Sequence, residues 1–319
     1  SSDLRYEAWE FGVHGYKPYS TGLIHDRRHG DCKDKTLLLC ALLREIGVPC
    51  QPVLIFADPL RSKDDLELAM VQQFNHCIAW LPPHDGRPGR FLDGTAIWHP
   101  TDTLPEMDQG AHVLIVAEGR AEVRFVPRAT PEQNLEHGDY TLALRDDGSA
   151  ELALLEQPLG NAAVQLREML ASEPARRREV VERRLLRDFG TATLQDLEAA
   201  APVDPEAAVQ LRARATVTEL GQREGRRWQL PSSHAPDQLL ALASETDRHR
   251  PLLLGPPRGE HHVVRYRLPN GWTAAELPAA ARHEGPFGRF RMDWRREGDG
   301  VVVERRLELT TDRVESADF

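Results

Sequence analysis

The sequence has no long hydrophobic run, few cysteines and no excess of positive charge. It contains no stretch of 18 consecutive apolar residues, which excludes a membrane-spanning helix of ordinary length. It has only four cysteines among 319 residues, none of them in a CxxC pair, which excludes a disulfide scaffold. The net charge of -10 disfavours nucleic acid as a partner. What remains is a globular chain long enough for two domains.

The first residues, SSDLRYEAWEFG, do not resemble a secretory signal peptide. They lack an initiator methionine, a basic region and an apolar region. We therefore expect the chain to be a processed fragment from which an upstream segment has been removed. The compartment in which it works does not follow from these residues.

One cysteine lies at the predicted start of a helix. Gly30 permits a sharp turn, Asp31 can cap free N–H groups, and Gly47 and Pro49 are typical of a helix end. Cys32 then falls at or near the first helical position, where the helix dipole and unpaired N–H groups favour a thiolate and can hold an oxyanion. A wide apolar face is predicted at helical spacing by Leu38, Leu39, Leu42, Leu43 and Ile46.

The neighbours of Cys32 suggest supporting roles. Asp34 is expected to brace the start of the helix. Lys33 and Lys35 have two open interpretations, either holding the thiolate or forming a solvated face. Cys40 and Cys50 stand in apolar surroundings and are predicted to be small core residues.

A histidine and an aspartate follow on predicted strands. QPVLIF, FNHCIAWLPP and RFLDGTA have the alternation and composition of strands, and HDGRPG is a turn between the last two. This hairpin would place His76 beside Asp93 across the ladder. The residue types predict that Cys32 attacks, that His76 takes and returns the proton, and that Asp93 orients the imidazole.

These segments resemble a known family. GDCKDKTLLLCALLREIGVPCQPVLI, FNHCIAWL and FLDGTA are similar to the core of the transglutaminase-like superfamily. More narrowly, they resemble bacterial envelope-associated proteins in which this core is fused to β-rich domains. The upstream WEFGVHGYKPYS also resembles the segment before the cysteine in that group, so the resemblance covers roughly residues 1 to 125.

The resemblance implies an α+β fold with a papain-like Cys-His-Asp arrangement and acyl transfer from protein or peptide amides. Crosslinking, deamidation and peptide hydrolysis all stay open, and so does a non-catalytic binding or scaffold module that keeps the old core. It also implies a location in the cell envelope or periplasm. In related folds a side chain upstream of the cysteine helps to bind the oxyanion, which makes Trp9, Tyr16 and Tyr19 the candidates for the cleft.

No metal or other cofactor is predicted. A zinc site built from His25, His29 and Cys32 would need all three on one face, but Gly30 and Asp31 interrupt the helix between them and no fourth ligand stands nearby. The segment from His25 to His29 is better explained as the end of a short helix, where cations suit the dipole. His14 has no assigned role, although it could lie in a cleft.

The remainder of the chain is predicted to be a second, β-rich domain. We expect a catalytic core over residues 1–130 and an antiparallel sheet or sandwich with one or two helices over residues 131–319. A hairpin is expected over DYTLALRDDGSAELALLEQ, and a helix over SEPARRREVVERRLLRDFG with Ser172 as its cap. RHRPLLLGPPRGE is predicted to be a surface crossing. We expect this domain to bind substrate, shape the cleft or act as a scaffold.

Overall fold

The protein has a mixed α+β fold with few helices and large antiparallel sheets. The computed structural model describes residues 3–8, 12–60, 70–199, 204–225, 227–231, 248–274 and 276–318. The chain divides into two units, Ser1–Arg128 and Ala129–Phe319. None of the helices in these described ranges is long and apolar enough to cross a membrane.

In its described residues, the first unit combines a five-stranded sheet with two α-helices. Its elements are β1 (Arg5–Tyr6), α1 (Thr21–Arg27), β2 (His29–Gly30), α2 (Cys32–Glu45), β3 (Gln51–Ile55), β4 (His76–Leu81), β5 (Arg90–Leu92), β6 (His112–Ala117) and β7 (Arg120–Phe125). The sheet order is β5-β4-β3-β6-β7, and all its pairs are antiparallel. A short parallel pair joins β1 to β2.

The two faces of this sheet bury different sets of side chains. On β4, Ala79 and Leu81 pack with Cys40 of α2 and with Cys50, so this face carries the helix. Alternate residues of β4 point the other way, where Ile78 and others fill a second apolar cluster. The second cluster comprises Val53, Ile55, Ile78, Trp80, Phe91, Ala111, Val113, Ile115 and Val126.

Helix α2 begins and ends where the sequence predicts. Cys32 is its first residue, and the Asp31 side chain accepts a hydrogen bond from the backbone N–H of Asp34. Gly47 has a φ of 80°, as a left-handed helix end requires. Gly30 was expected to permit a sharp turn. The structure needs glycine there for another reason, because a Cβ at this position would lie 2.7 Å from the Cβ of Asp34.

The predicted apolar face of α2 is wrong in part. Leu42 and Ile46 are 57% and 73% exposed, whereas Leu39 and Leu43 pack against the cluster around Cys40. The buried residues of α2 are Asp34, Lys35, Thr36 and Cys40. The first three are polar and lie near the start of the helix. Leucine occurs nearly all round this helix, so its spacing does not identify the buried side.

The second unit is built on an eight-stranded sheet. Its elements are β8 (Leu135–Leu144), β9 (Ala150–Glu156), α3 (Gly160–Ala171), α4 (Pro174–Phe189), β10 (Ala192–Glu198), β11 (Leu211–Val217), β12 (Gln222–Glu224), β13 (Arg227–Gln229), β14 (Leu252–Leu253), β15 (Arg258–Arg267), β16 (Ala281–Gly285), β17 (Gly288–Glu297), β18 (Gly300–Leu309) and β19 (Arg313–Val314). The sheet order is β10-β11-β9-β8-β15-β18-β17-β16, with one parallel pair between β8 and β15.

Several predictions for this region can be compared with the structure. The hairpin is confirmed as β8 and β9. Helix α4 is confirmed, but Ser172 does not cap it: the N-cap is Glu173, and Ser172 instead ends α3, a helix that the sequence analysis missed. The predicted surface crossing contains strand structure, because Leu252–Leu253 pairs with β19 and β15 begins at Arg258.

Candidate active site

Cys32 is positioned by the packing of α2 on the sheet of the first unit. It is partly exposed and is the first residue of the helix, so its backbone N–H belongs to the group without an intrahelical acceptor. One turn further, the Thr36 hydroxyl donates a 2.8 Å hydrogen bond to the carbonyl of Cys77. Because Cys77 follows His76, this buried bond fixes the start of α2 against the start of β4.

His76 connects the cysteine with the aspartate. Its Nε2 donates to Asp93 Oδ2 at 3.2 Å, and Cys32 lies close enough to raise the pKa of the imidazole. The His76 side chain is 12% exposed and that of Asp93 2%. The three residues predicted from the sequence therefore lie together in the order cysteine, histidine, aspartate.

Asp93 does not lie directly across the ladder from His76. Strand β5 ends at Leu92, which pairs with Ala79, so Asp93 stands beyond the strand end and reaches His76 diagonally. The Asp93 carboxylate is held there by Thr95. Its Oδ1 accepts hydrogen bonds from the Thr95 backbone N–H at 2.7 Å and from the Thr95 hydroxyl at 2.8 Å. The same hydroxyl lies 2.9 Å from Oδ2, so Thr95 contacts both oxygens of the carboxylate, including the one bonded to the imidazole.

The electrostatics of this group favour an imidazolium at His76. Burial alone lowers its pKa, but hydrogen bonds with Asp93 and Cys32 and the charges of Asp93 and Asp108 outweigh it and raise the pKa of His76 to about 10. Burial alone raises the pKa of Asp93, but its bonds with His76 and Thr95 keep that pKa below its usual value. An ionised carboxylate beside a protonated imidazole is the expected state near neutral pH.

Asp108 is a second carboxylate at this site, and the sequence analysis missed it. It lies in a one-turn 3₁₀ helix, Glu106–Asp108, and its side chain is fully buried. Donor atoms of His76, Asp93 and Asp108 all lie within 4.8 Å of one another. One imidazole and two carboxylates are a donor set that zinc accepts. The sequence offered only a weak signal, an aspartate in a loop without periodicity.

Tyr6 is the other residue near the site that was not predicted. Strand β1 pairs in parallel with β2 and sets Tyr6 opposite Gly30, two positions before the cysteine. Burial and the charges of Cys32, Asp31 and Asp93 raise the pKa of Tyr6. Its side chain is half-exposed, so an aromatic hydroxyl lies near the nucleophile on an accessible surface.

The upstream aromatic candidates have different positions. Tyr16 is 69% exposed. Tyr19 stacks on His14, with ring centroids 3.8 Å apart, and carries the Arg27 guanidinium over its ring at 4.1 Å. Trp9 lies outside the described residues. Tyr19 thus has an evident packing role, and the oxyanion role of all three stays a prediction.

The charged side chains next to Cys32 make contacts that hold the start of α2 in place. Asp34 braces the helix start as expected, since its carboxylate accepts from the Tyr19 backbone N–H and from Arg27 of α1. Lys33 contacts the carboxylate of Asp31. Lys35 is buried and donates to the carbonyl of Leu4 at 2.9 Å. Of the two interpretations left open for these lysines, the solvated face is therefore wrong.

His25 and His29 have partners other than Cys32. His25 lies on α1 beside Asp26, at 3.4 Å, and its side chain is exposed. Helix α1 ends before His29, with Arg28 in the left-handed conformation. The Nδ1 of His29 donates to the Arg27 carbonyl at 2.9 Å. The two histidines therefore lie on different elements, His25 on α1 and His29 on β2.

Comparisons with known proteins give a fold relative and one family match. A crystal structure from Parabacteroides distasonis, described as a "putative protease", has a TM-score of 0.54 and 12% identity, over 99% of this chain and 45% of that one. This chain thus spans less than half the length of that relative, with which it shares the fold. Residues 231–319 match a family described as a domain of unknown function, DUF3858. A search of curated proteins finds no match.

Proposed function

We propose that the first unit is a transglutaminase-like cysteine acyltransferase or peptidase that acts on protein or peptide amides. The observation that carries the proposal is the largely buried imidazole of His76, which is hydrogen-bonded to Asp93 and whose pKa is raised both by that bond and by a cysteine at a helix N-terminus. A thiol, a base and an orienting carboxylate in contact are the arrangement that nucleophilic acyl transfer needs. The name of the structural relative, a "putative protease", agrees with an amide substrate.

The first half of the reaction forms a thioester. The Cys32 thiolate attacks the amide carbonyl carbon, and a C–S bond forms as the carbonyl becomes an oxyanion. We propose that the backbone N–H of Cys32, at the first position of α2, donates to this oxyanion. His76, protonated, then gives its proton to the leaving nitrogen as the C–N bond breaks, and the amine departs.

The second half removes the acyl group. Water or a primary amine attacks the thioester carbonyl, His76 takes the proton of the attacking group, and Cys32 leaves as the thiolate. Water gives hydrolysis or deamidation, while an amine gives a crosslink. Asp93 keeps the imidazole in one orientation through both steps, since its other oxygen is anchored by Thr95.

Tyr6 and Asp108 take supporting roles in this proposal. We assign the Tyr6 hydroxyl as a donor to the oxyanion or to the bound amide, because β1 places Tyr6 opposite Gly30 and the charges of Cys32 and Asp93 add to burial in raising its pKa. Asp108 adds a second negative charge near the imidazolium and so helps to hold the proton on His76. Catalysis is assigned to residues 1–130, and residues 131–319 are proposed to bind substrate or act as a scaffold.

The reaction class is tested by incubating the full chain with mixed glutamine-containing peptides and a primary amine. Mass spectrometry separates peptide cleavage, conversion of an amide to an acid, and incorporation of the amine. The proposal requires at least one of these products, and requires it to be absent with Cys32→Ala. Products that form equally with that variant would remove Cys32 from the reaction.

A chelator is expected to leave activity unchanged, because the proposed steps use a thiol, an imidazole and carboxylates. Added zinc is expected to inhibit, since it would bind His76, Asp93 and Asp108 and take the imidazole out of proton transfer. Turnover measured with EDTA and then with zinc tests both statements, and Asp108→Asn should weaken the zinc effect. Loss of activity in EDTA that zinc or calcium restores would contradict the mechanism.

A further inference from the structure

Two cysteines outside the candidate active site lie against each other. The Sγ atoms of Cys40 and Cys50 are 2.8 Å apart, although the residues are ten positions apart in the chain. Both are free thiols, and they are 0% and 5% exposed. Their separation is about 0.8 Å longer than a covalent sulfur–sulfur bond. Neither takes part in the proposed acyl transfer.

The pair joins the two elements that position the nucleophile. Cys40 lies in the middle of α2, which begins with Cys32, and Cys50 directly precedes the central strand β3. Ala79 and Leu81 of β4 pack around the two sulfurs. A covalent link here would tie the nucleophile helix to the sheet that carries His76.

We propose that Cys40 and Cys50 are a disulfide-forming site, closed by thiol–disulfide exchange with a disulfide oxidant. The Cys50 thiolate attacks one sulfur of the oxidant, which forms a mixed disulfide and releases the first oxidant thiol. Cys40 then loses its proton and attacks Cys50 Sγ, which forms the Cys40–Cys50 bond and releases the second oxidant thiol. Two protein thiols are oxidised and one oxidant disulfide is reduced to two thiols.

The order of attack follows from the surroundings of the two sulfurs. The hydrogen bond between the two sulfurs, together with the charge of Arg44, lowers the pKa of Cys50 against the effect of burial. The same bond and burial raise the pKa of Cys40. Cys50 is also the less buried of the two. It is therefore the thiol that an oxidant meets first as a thiolate.

Cys77 is the internal comparison for this site. It is as buried as Cys50, but burial, followed by the charge of Cys32, raises its pKa to about 12. Burial alone therefore does not identify which cysteines form a disulfide. The short distance between the Cys40 and Cys50 sulfurs does. This inference is independent of the proposed acyl transfer, because a structural cross-link would form whether or not Cys32 is catalytic.

The test uses the full chain with Cys32→Ser, so that the candidate nucleophile does not form mixed disulfides. One sample is incubated folded in a buffer rich in oxidised glutathione, and a second is refolded from denaturant in the same buffer. Both are quenched in acid, denatured, alkylated and mapped by mass spectrometry. We expect a Cys40–Cys50 linked peptide in at least the refolded sample, with Cys77 alkylated.

The oxidised protein should also melt several degrees above the reduced protein. The matched control, Cys50→Ser in the same background, should give no linked peptide and no difference in melting between oxidising and reducing buffers. Alkylation of all three remaining cysteines in both samples would overturn the proposal. A linkage to Cys77, or a glutathione adduct on Cys50 that does not resolve, would overturn it as well.

Discussion

Replacing Cys32 with alanine is expected to reduce turnover on the order of 10³-fold or more, because no other group at this site can form the thioester. The fold should survive, since Cys32 is partly exposed and its side chain belongs to none of the three apolar clusters of the described residues. Turnover is measured in the peptide and amine assay, and folding by circular dichroism and thermal melting.

The matched control for this variant is Cys77→Ala. Cys77 is buried on the neighbouring strand, where it pairs with Leu54 and its backbone carbonyl accepts a hydrogen bond from Thr36. Removing its side chain should cost stability but leave turnover within a few-fold of wild type. Wild-type turnover by Cys32→Ala, or equal losses in the two variants, would contradict the assignment of the nucleophile.

His76→Ala is expected to lower turnover on a similar scale, about 10³-fold, since it removes both the proton carrier and the partner of the thiolate. The fold-loss of turnover with Asp93→Ala should be on the order of 10 to 100 times smaller than that with His76→Ala, because the imidazole would remain but lose its orientation. The ranking among Cys32, His76 and Asp93 is therefore part of the prediction. It is measured as kcat/KM for the three single variants.

An exposed pair in the same unit serves as the control for His76. His84 lies 3.2 Å from Asp85, the same separation as that between His76 and Asp93, but its side chain is 40% exposed and it stands in a turn. His84→Ala should leave turnover unchanged. If it lowered turnover as much as His76→Ala does, the effect of His76→Ala would reflect stability and not proton transfer.

The start of α2 was predictable because local chemistry determines it. Asp31 caps the helix, and Gly47 adopts the left-handed conformation that ends it, so Cys32 falls at the first helical position. The strand that carries His76 and the strand that leads to Asp93 were predictable for the same reason. The alternation and composition of their residues and the turn between them are local signals. The pairing of Cys32 with His76 was predicted from the residue types and their order, and the resemblance to a known family supported it.

Asp108 and Tyr6 could not be predicted from local patterns. Asp108 reaches His76 from a one-turn 3₁₀ helix, and nothing in its neighbours in the chain marks it as buried. Tyr6 is placed by a two-residue parallel pairing with β2, which is too short to leave a periodic signal. Non-local packing determines both positions. Non-local packing also decides which side of α2 is buried. Leu42 and Ile46 are exposed, so the spacing of apolar residues alone did not identify that side.

The most direct test of the central claim is brief alkylation with iodoacetamide near pH 6, which needs no knowledge of the substrate. His76 is charged at this pH because its bonds with Asp93 and Cys32, together with nearby carboxylate charge, raise its pKa to about 10 against the effect of burial. With a charged imidazole beside it and a helix N-terminus behind it, the Cys32 sulfur is expected to react faster than an ordinary thiol, which is only about 0.3% ionised at pH 6.

The account predicts that Cys32 is modified on the order of 100-fold faster than Cys40, Cys50 or Cys77, and that His76→Ala slows it. Peptide mapping after short exposures gives the four rates. Equal labelling of all four cysteines, or faster labelling of Cys77, would contradict the claim that Cys32 and His76 form a catalytic pair, and would favour a binding module that has lost its chemistry.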